Sequence, residues 1–128
     1  MKALLDTHAL IWIAEDDDRL GSKARTLAES CRQNELAVSN ITLLEIAMLW
    51  QQGRISTKLP LGGTLQQVER NFIVLPINAT IAADAYRLPL PQADPFDRVI
   101  TATAKYHKLP LLTRDQHITD SCCIETIW

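Results

Sequence analysis

Five short runs of β-favouring residues punctuate the chain: KALL at 2–5, LAV at 36–38, FIVLPI at 72–77, LPLLT at 109–113 and CIETI at 123–127. The stretches between them space their apolar residues as helices do. Strands that alternate with helices form mostly parallel sheets, so we expect an α/β fold: a central, mostly parallel twisted sheet with helices on both faces. The chain has 128 residues, 47% hydrophobic and 22% charged, which is ordinary usage for a folded chain and a length that suits a single domain over 1–128. No repeat, low-complexity tract or linker divides it.

Helix boundaries can be read locally. Ser22 is placed to cap KARTLAESCRQ, and Ser39 or Asn40 to cap ITLLEIAMLWQQ, which Gly53 then stops. A short helix is expected over 64–71 after the Gly62-Gly63 turn, and another over 79–86. In DPFDRVITATAKYHK, Asp94 suits the N-cap and Pro95 the first helical position, with Val99, Ile100, Thr103 and Tyr106 as a core-facing stripe.

No apolar run approaches the roughly 18 residues that cross a bilayer. The opening MKALLDTHALIWIAEDDD is interrupted by Asp6 and His8 and lacks a small-residue cleavage pattern, so no secretory signal and no membrane association are expected, and a cytoplasmic location follows. Cys31 stands alone and Cys122 and Cys123 are adjacent, which fits neither a disulfide framework nor a zinc pattern; we read reduced thiols.

In an open parallel sheet, ligands bind at the carboxyl ends of the strands. Asp6 follows the first strand there, Asp115 follows LPLLT, Asp94 and Asp97 open the helix leading into that strand, and Glu45 sits one turn into the helix after LAV. Each has a plainer explanation: Asp6 as a helix cap, Asp94 and Asp97 as a capping pair, Asp115 as a turn residue. Glu45 resists one. Its neighbours Ile41, Leu44, Ile46, Met48 and Leu49 leave it no solvated face, and a buried carboxylate needs a partner. With other carboxylates converging on the same edge, a hard cation such as Mg²⁺ or Mn²⁺ resolves the repulsion and leaves coordination sites for a phosphate. The net charge is −2, and setting aside four of fifteen carboxylates leaves a slight basic excess for local patches.

Together, LLDTHALIW, SNITLLEIAML, DPFDRVITATA and LLTRD, in this order and spacing, resemble the PIN-domain ribonucleases, most closely the VapC-like toxins of bacterial type II toxin–antitoxin modules. That resemblance spans nearly the whole chain. It implies a PIN-like fold and a Mg²⁺- or Mn²⁺-dependent endoribonuclease, with Asp6, Glu45 and Asp97 as the core acids and Asp115 as the fourth. Asp94, from the D-P-F-D-R pattern, is a further metal candidate, while Thr7 and Thr113 resemble the supporting hydroxyls. It also implies an RNA substrate, a cognate antitoxin and a homodimer, for which Leu49 and Trp50 are candidate contacts. Metal-activated water attacking in line leaves 5′-phosphate and 3′-hydroxyl ends.

Arg98 and Arg114, beside two of the acids, are candidates for phosphate contact, and Arg54, Lys105 and Lys108 for a longer RNA track. His8 is read as a packing residue, since an acidic metal site already supplies the base; His107 and His117 have weaker claims still. Trp12, Met48 and Trp50 are read as core or interface residues, and the run Glu15 to Asp18 as a solvated loop. Two other classes compete: a non-catalytic module that only docks RNA or a partner, and a phospho-accepting receiver-like domain. The receiver reading gives Glu45 no place and lacks a lysine after a strand.

Overall fold

The computed structural model describes residues 1–32 and 34–128. One sheet carries the fold, with β1 (Ala3–Leu5), β2 (Leu36–Ser39), β3 (Ile73–Leu75), β4 (Leu111–Leu112) and β5 (Thr126–Ile127) in the order β3-β2-β1-β4-β5. All four pairings are parallel. The helices between them are α1 (Thr7–Glu15), α2 (Ser22–Ser30), α3 (Asn40–Gln51), α4 (Leu61–Asn71), α5 (Ala79–Ala85), α6 (Pro95–His107) and α7 (Gln116–Ser121).

Strand alternation builds two cores. Ala3, Leu5, Leu36, Val38 and Leu112 face one layer and meet Leu10 and Trp12 of α1, Ala24 of α2, Ile46 of α3 and Val68 of α4. Leu4, Ala37 and Leu111 face the other, where Ile81 of α5, Ile100 of α6 and Ile118 of α7 cover them. Leu4, Leu5, Leu111 and Leu112 are fully buried, each removal from water stabilising the fold by about 1.5–3 kcal/mol. The central strands therefore hold the residues that follow them rigidly.

The caps bear out most of the local reading and correct part of it. Ser39 caps α3, accepting the Ile41 N–H at 3.2 Å, and Gly53 follows the helix at φ 71°. Asp94 and Pro95 open α6 as expected. Ser22 does not cap α2: Gly21 occupies the cap and Ser22 is the first helical residue. Gly21 is required there because a Cβ would lie 2.5 Å from the Trp128 carbonyl carbon. That helix ends at Ser30; Gln33, the last residue of its expected span, lies outside the described residues. Helix α4 begins at Leu61, so Gly62 and Gly63 lie in its first turn and not in a preceding turn.

Helix α6 is buried without interruption from Val99 to Ala104 because α5, α3 and β2 enclose it. Tyr106, expected in its core stripe, is 48% exposed. It sits in the last turn, beyond the layers that cover the middle. No helix among the described residues is long and apolar enough to cross a membrane, and the three cysteines are free.

Candidate active site

Parallel strands deliver their carboxyl ends to one edge, and the five acids singled out above gather there. Asp6 immediately follows β1 and also caps α1, its Oδ1 accepting the Ala9 N–H at 2.7 Å. The cap and the edge position thus coexist in one side chain. Beyond β4, the buried Thr113 hydroxyl accepts the Asp115 N–H at 3.1 Å, and Asp115 accepts the His117 N–H at 2.9 Å to cap α7. Asp94 accepts the Asp97 N–H at 2.9 Å, which orders the first turn of α6. Glu45 is buried in α3, although one of its apolar neighbours, Leu44, points outward at 62% exposure.

The electrostatics tie these residues into one cluster. Burial pushes the Asp97 carboxyl up to about 7, and Asp94, Glu45, Asp115 and Asp6 each add to the rise. Glu45 is likewise raised, first by burial and then by Asp94 and Asp6; the Thr7 hydroxyl and Arg54 partly offset this. Asp6 is raised by burial and by Asp115, against the Thr113 hydroxyl, the Ala9 amide and the His8 imidazole. Thr7 itself donates to Thr42 at 3.2 Å, both buried, so in this geometry Glu45 is its alternative acceptor. Like charges are held together here with only modest cationic relief.

A divalent cation fits this donor set by chemistry. Every candidate ligand is an oxygen, as Mg²⁺ and Mn²⁺ prefer. Among the described residues, no three acidic, histidine or cysteine side chains stand close enough to form a ready-made cage. Mg²⁺ does not require one, since it keeps several waters and binds through one or two carboxylates.

The cationic candidates separate sharply. Arg98 faces away from phosphate chemistry: Nε donates to Ala93 O at 3.3 Å, Nη1 to Ala85 O at 3.1 Å and Leu88 O at 3.5 Å, and Nη2 to Leu90 O at 2.5 Å. Its fork clamps the 85–93 segment, with Tyr86 stacked at 5.3 Å. That role escaped sequence reasoning, which had only the adjacency to Asp97 as a signal. Arg114 is exposed and lies over Trp12, 4.6 Å from the ring centroid, with Arg19 at 4.9 Å. Lys105 and Lys108 sit at the far end of α6, about 12–16 Å along the helix from Asp97. They do not extend a track at this edge.

His8 is exposed and stacks beside Trp12 at 5.6 Å. In the charge run, Asp16 and Asp17 pair with Arg25 and Arg19, away from the acids. Leu49 is buried at 2%, so it does not form a surface contact, whereas Trp50 is 37% exposed.

An all-parallel sheet with this acidic edge is the architecture of PIN domains. The PIN domain family matches residues 3–121, and the chain belongs to it. Within that family, the chain is 36% identical over 116 residues to Ribonuclease VapC22 of Mycobacterium tuberculosis, covering 90% of this chain and 88% of that protein. Among solved structures it resembles a toxin–antitoxin complex from Klebsiella pneumoniae, at 26% identity and a TM-score of 0.64, over 90% of this chain and 88% of that one. A DNA-bound VapBC from Salmonella typhimurium shares the fold at a TM-score of 0.69 and 16% identity, over 99% of this chain and 97% of that one.

Proposed function

We propose that the protein is a Mg²⁺- or Mn²⁺-dependent endoribonuclease, the toxin of a toxin–antitoxin module acting in the cytoplasm. The observation that carries this reading is the gathering of Asp6, Glu45, Asp94, Asp97 and Asp115 at the edge where parallel sheets bind ligands, where burial first and neighbouring carboxylates second raise Asp6, Glu45 and Asp97. The similarity to Ribonuclease VapC22 supplies the RNA substrate, and the toxin–antitoxin complexes supply the antitoxin.

In this reading Asp6, Glu45, Asp97 and Asp115 hold the metal, with Asp94 beside them. When bound, the cation supplies Lewis acidity that activates water and neutralises charge on the scissile phosphate. The chain does the positioning. Thr113 and the Ala9 amide fix Asp6, Thr7 eases the charge on Glu45, and Asp94 sets the first turn that presents Asp97. Hydrolysis by water leaves 5′-phosphate and 3′-hydroxyl ends. For the homodimer, Leu44 and Trp50 offer an apolar surface on α3.

An RNA-cleavage assay with Mg²⁺ or Mn²⁺ tests the reading, comparing the parent with Asp6→Asn and Glu45→Gln. The parent is expected to cut and both variants to lose about a hundredfold or more in rate. A folded, metal-loaded parent that leaves RNA intact, or variants that cut as well as the parent, would sink the assignment. Cyclic 2′,3′-phosphate ends would overturn the water mechanism alone.

A further inference from the structure

Beside the acids lies a cavity of about 280 Å³ that shares two of them, Asp97 and Asp115, with the site already described. Part of its lining is the 89–93 segment, where Pro89, Leu90, Pro91 and Ala93 contribute apolar residues; α7 adds His117 and Ile118. The 89–93 segment is not a loose loop. Arg98 donates to the carbonyls of Leu90 and Ala93, and the Ala93 N–H returns to Leu90 O at 3.1 Å. Its shape is set before any ligand arrives.

The lining excludes most occupants. In the nuclease reading Asp97 and Asp115 are taken by the metal, which leaves Asp120 as the cavity's own charge, and no lysine or arginine lines it among the described residues, so nothing deeper in the cavity draws a phosphate. The volume sits at the small end of ligand pockets, enough for one flat ring system. A planar, uncharged group with N–H donors fits all of this: apolar walls for its faces, the Asp120 carboxylate for a donor at its edge. Gln92 at the rim is exposed and makes no hydrogen bond within the described residues, leaving its amide for the ligand.

We propose that this cavity receives one nucleobase, unstacked from a single-stranded RNA whose scissile phosphate lies against the acids. The inference rests on the nuclease reading and adds a source of sequence preference to it. Single-stranded RNA is read in this manner, by splayed bases placed against side-chain surfaces and hydrogen-bonded at their edges. The Asp120 carboxylate favours adenine, cytosine or guanine, which carry an exocyclic amino group, over uracil.

The test uses a short RNA that the parent cuts at one mapped bond, remade with a single abasic site at each flanking position in turn. One position is expected to be sensitive: loss of its base, or its replacement by uracil, lowers kcat/KM about tenfold. Ala93→Phe, which fills the cavity, is expected to lower cleavage of the intact RNA by a similar factor and to lower the rate on the abasic RNA much less. A parent indifferent to every abasic site, or a folded Ala93→Phe that slows both RNAs alike, overturns the pocket and leaves the nuclease reading standing. A parent that cuts no RNA overturns both. If Ala93→Phe fails to fold, Gln92→Ala on the exposed rim decides, because it must change base preference at that one position; an unaltered preference counts against the proposal.

Discussion

Asp94 holds Asp97 by its backbone and repels it by its charge: the Asp94 carboxylate accepts the Asp97 N–H at 2.9 Å and is, after burial, the main reason the Asp97 carboxyl rises to about 7. The two effects are separable by mutation. Asp94→Asn keeps an accepting oxygen and removes the charge, so the Asp97 pKa falls while helix α6 stays capped. Asp94→Ala removes both and costs about 1 kcal/mol of stability. Carbon-detected NMR titration of the Asp97 carboxyl, with urea unfolding of each variant, checks the pair of outcomes.

The acid cluster makes the metal-free chain sensitive to pH in an unusual direction. Asp6, Glu45 and Asp97 have folded pKa values above their ordinary ones, so the folded state binds more protons than the unfolded state. Their contribution to stability is fully present below about pH 4 and is lost as pH rises through the folded values, Asp97 being half ionised near pH 7. Without divalent metal, stability is expected to fall by roughly 2–4 kcal/mol across that window. Asp97→Asn should flatten the profile. A metal-free chain equally stable at pH 5 and pH 7.5 contradicts the cluster.

In the metal-dependent reading, divalent metal is expected to reverse this trend. Protons and cations compete for the same oxygens, so millimolar Mg²⁺ should raise Tm more at pH 8 than at pH 5. Asp6→Asn should reduce the shift. Scanning calorimetry with and without chelator measures it independently of any RNA.

Arg98 is expected to behave as a structural residue with a local readout. Its side chain serves carbonyls at 85, 88, 90 and 93, and Arg98→Lys cannot reproduce a planar fork. A loss of about 2–4 kcal/mol follows, because buried carbonyls are left without donors. Hydrogen exchange should accelerate over 85–93 before it does in the sheet. If Arg98→Lys weakens RNA binding with stability unchanged, the phosphate-contact reading of Arg98 is restored.

Gly21→Ala tests the packing of the last residue. The added methyl meets the backbone and ring of Trp128, whose carbonyl also accepts the Lys23 N–H at 3.0 Å and whose ring packs edge-on to Trp12. We expect a cost of about 1–3 kcal/mol, with a red shift in tryptophan emission as Trp128 is displaced.

The strands were legible because parallel-sheet strands bury both faces, and LL at 4–5 and at 111–112 says so without help from the rest of the chain. Glu45 was legible for a related reason, an acid set among Ile41, Leu44, Ile46, Met48 and Leu49 on its helix. Arg98 was not, since its carbonyl partners lie in the preceding segment and only the folded path of 85–93 brings them together. Tyr106 misled because helical period reports which face a residue is on, not how far along the axis the covering layers extend. Helix α7 was not anticipated, only Asp115 being offered as a turn residue, because the helix is six residues long and held mainly by Asp115 at its start and Ile118 in the core.

The pairing of β1 with β4 sets a clock on the protein. Leu4 and Leu5 meet Leu111 and Leu112 across almost the full span of the chain, and Thr113 and Asp115 reach Asp6 only through that pairing. Such long-range closure comes late in folding. During synthesis Asp6 and Glu45 emerge early, yet the acidic edge is incomplete until the β4 segment has left the ribosome and docked. Any chain cut before β4 lacks Thr113 and Asp115 and with them part of the support that Asp6 receives.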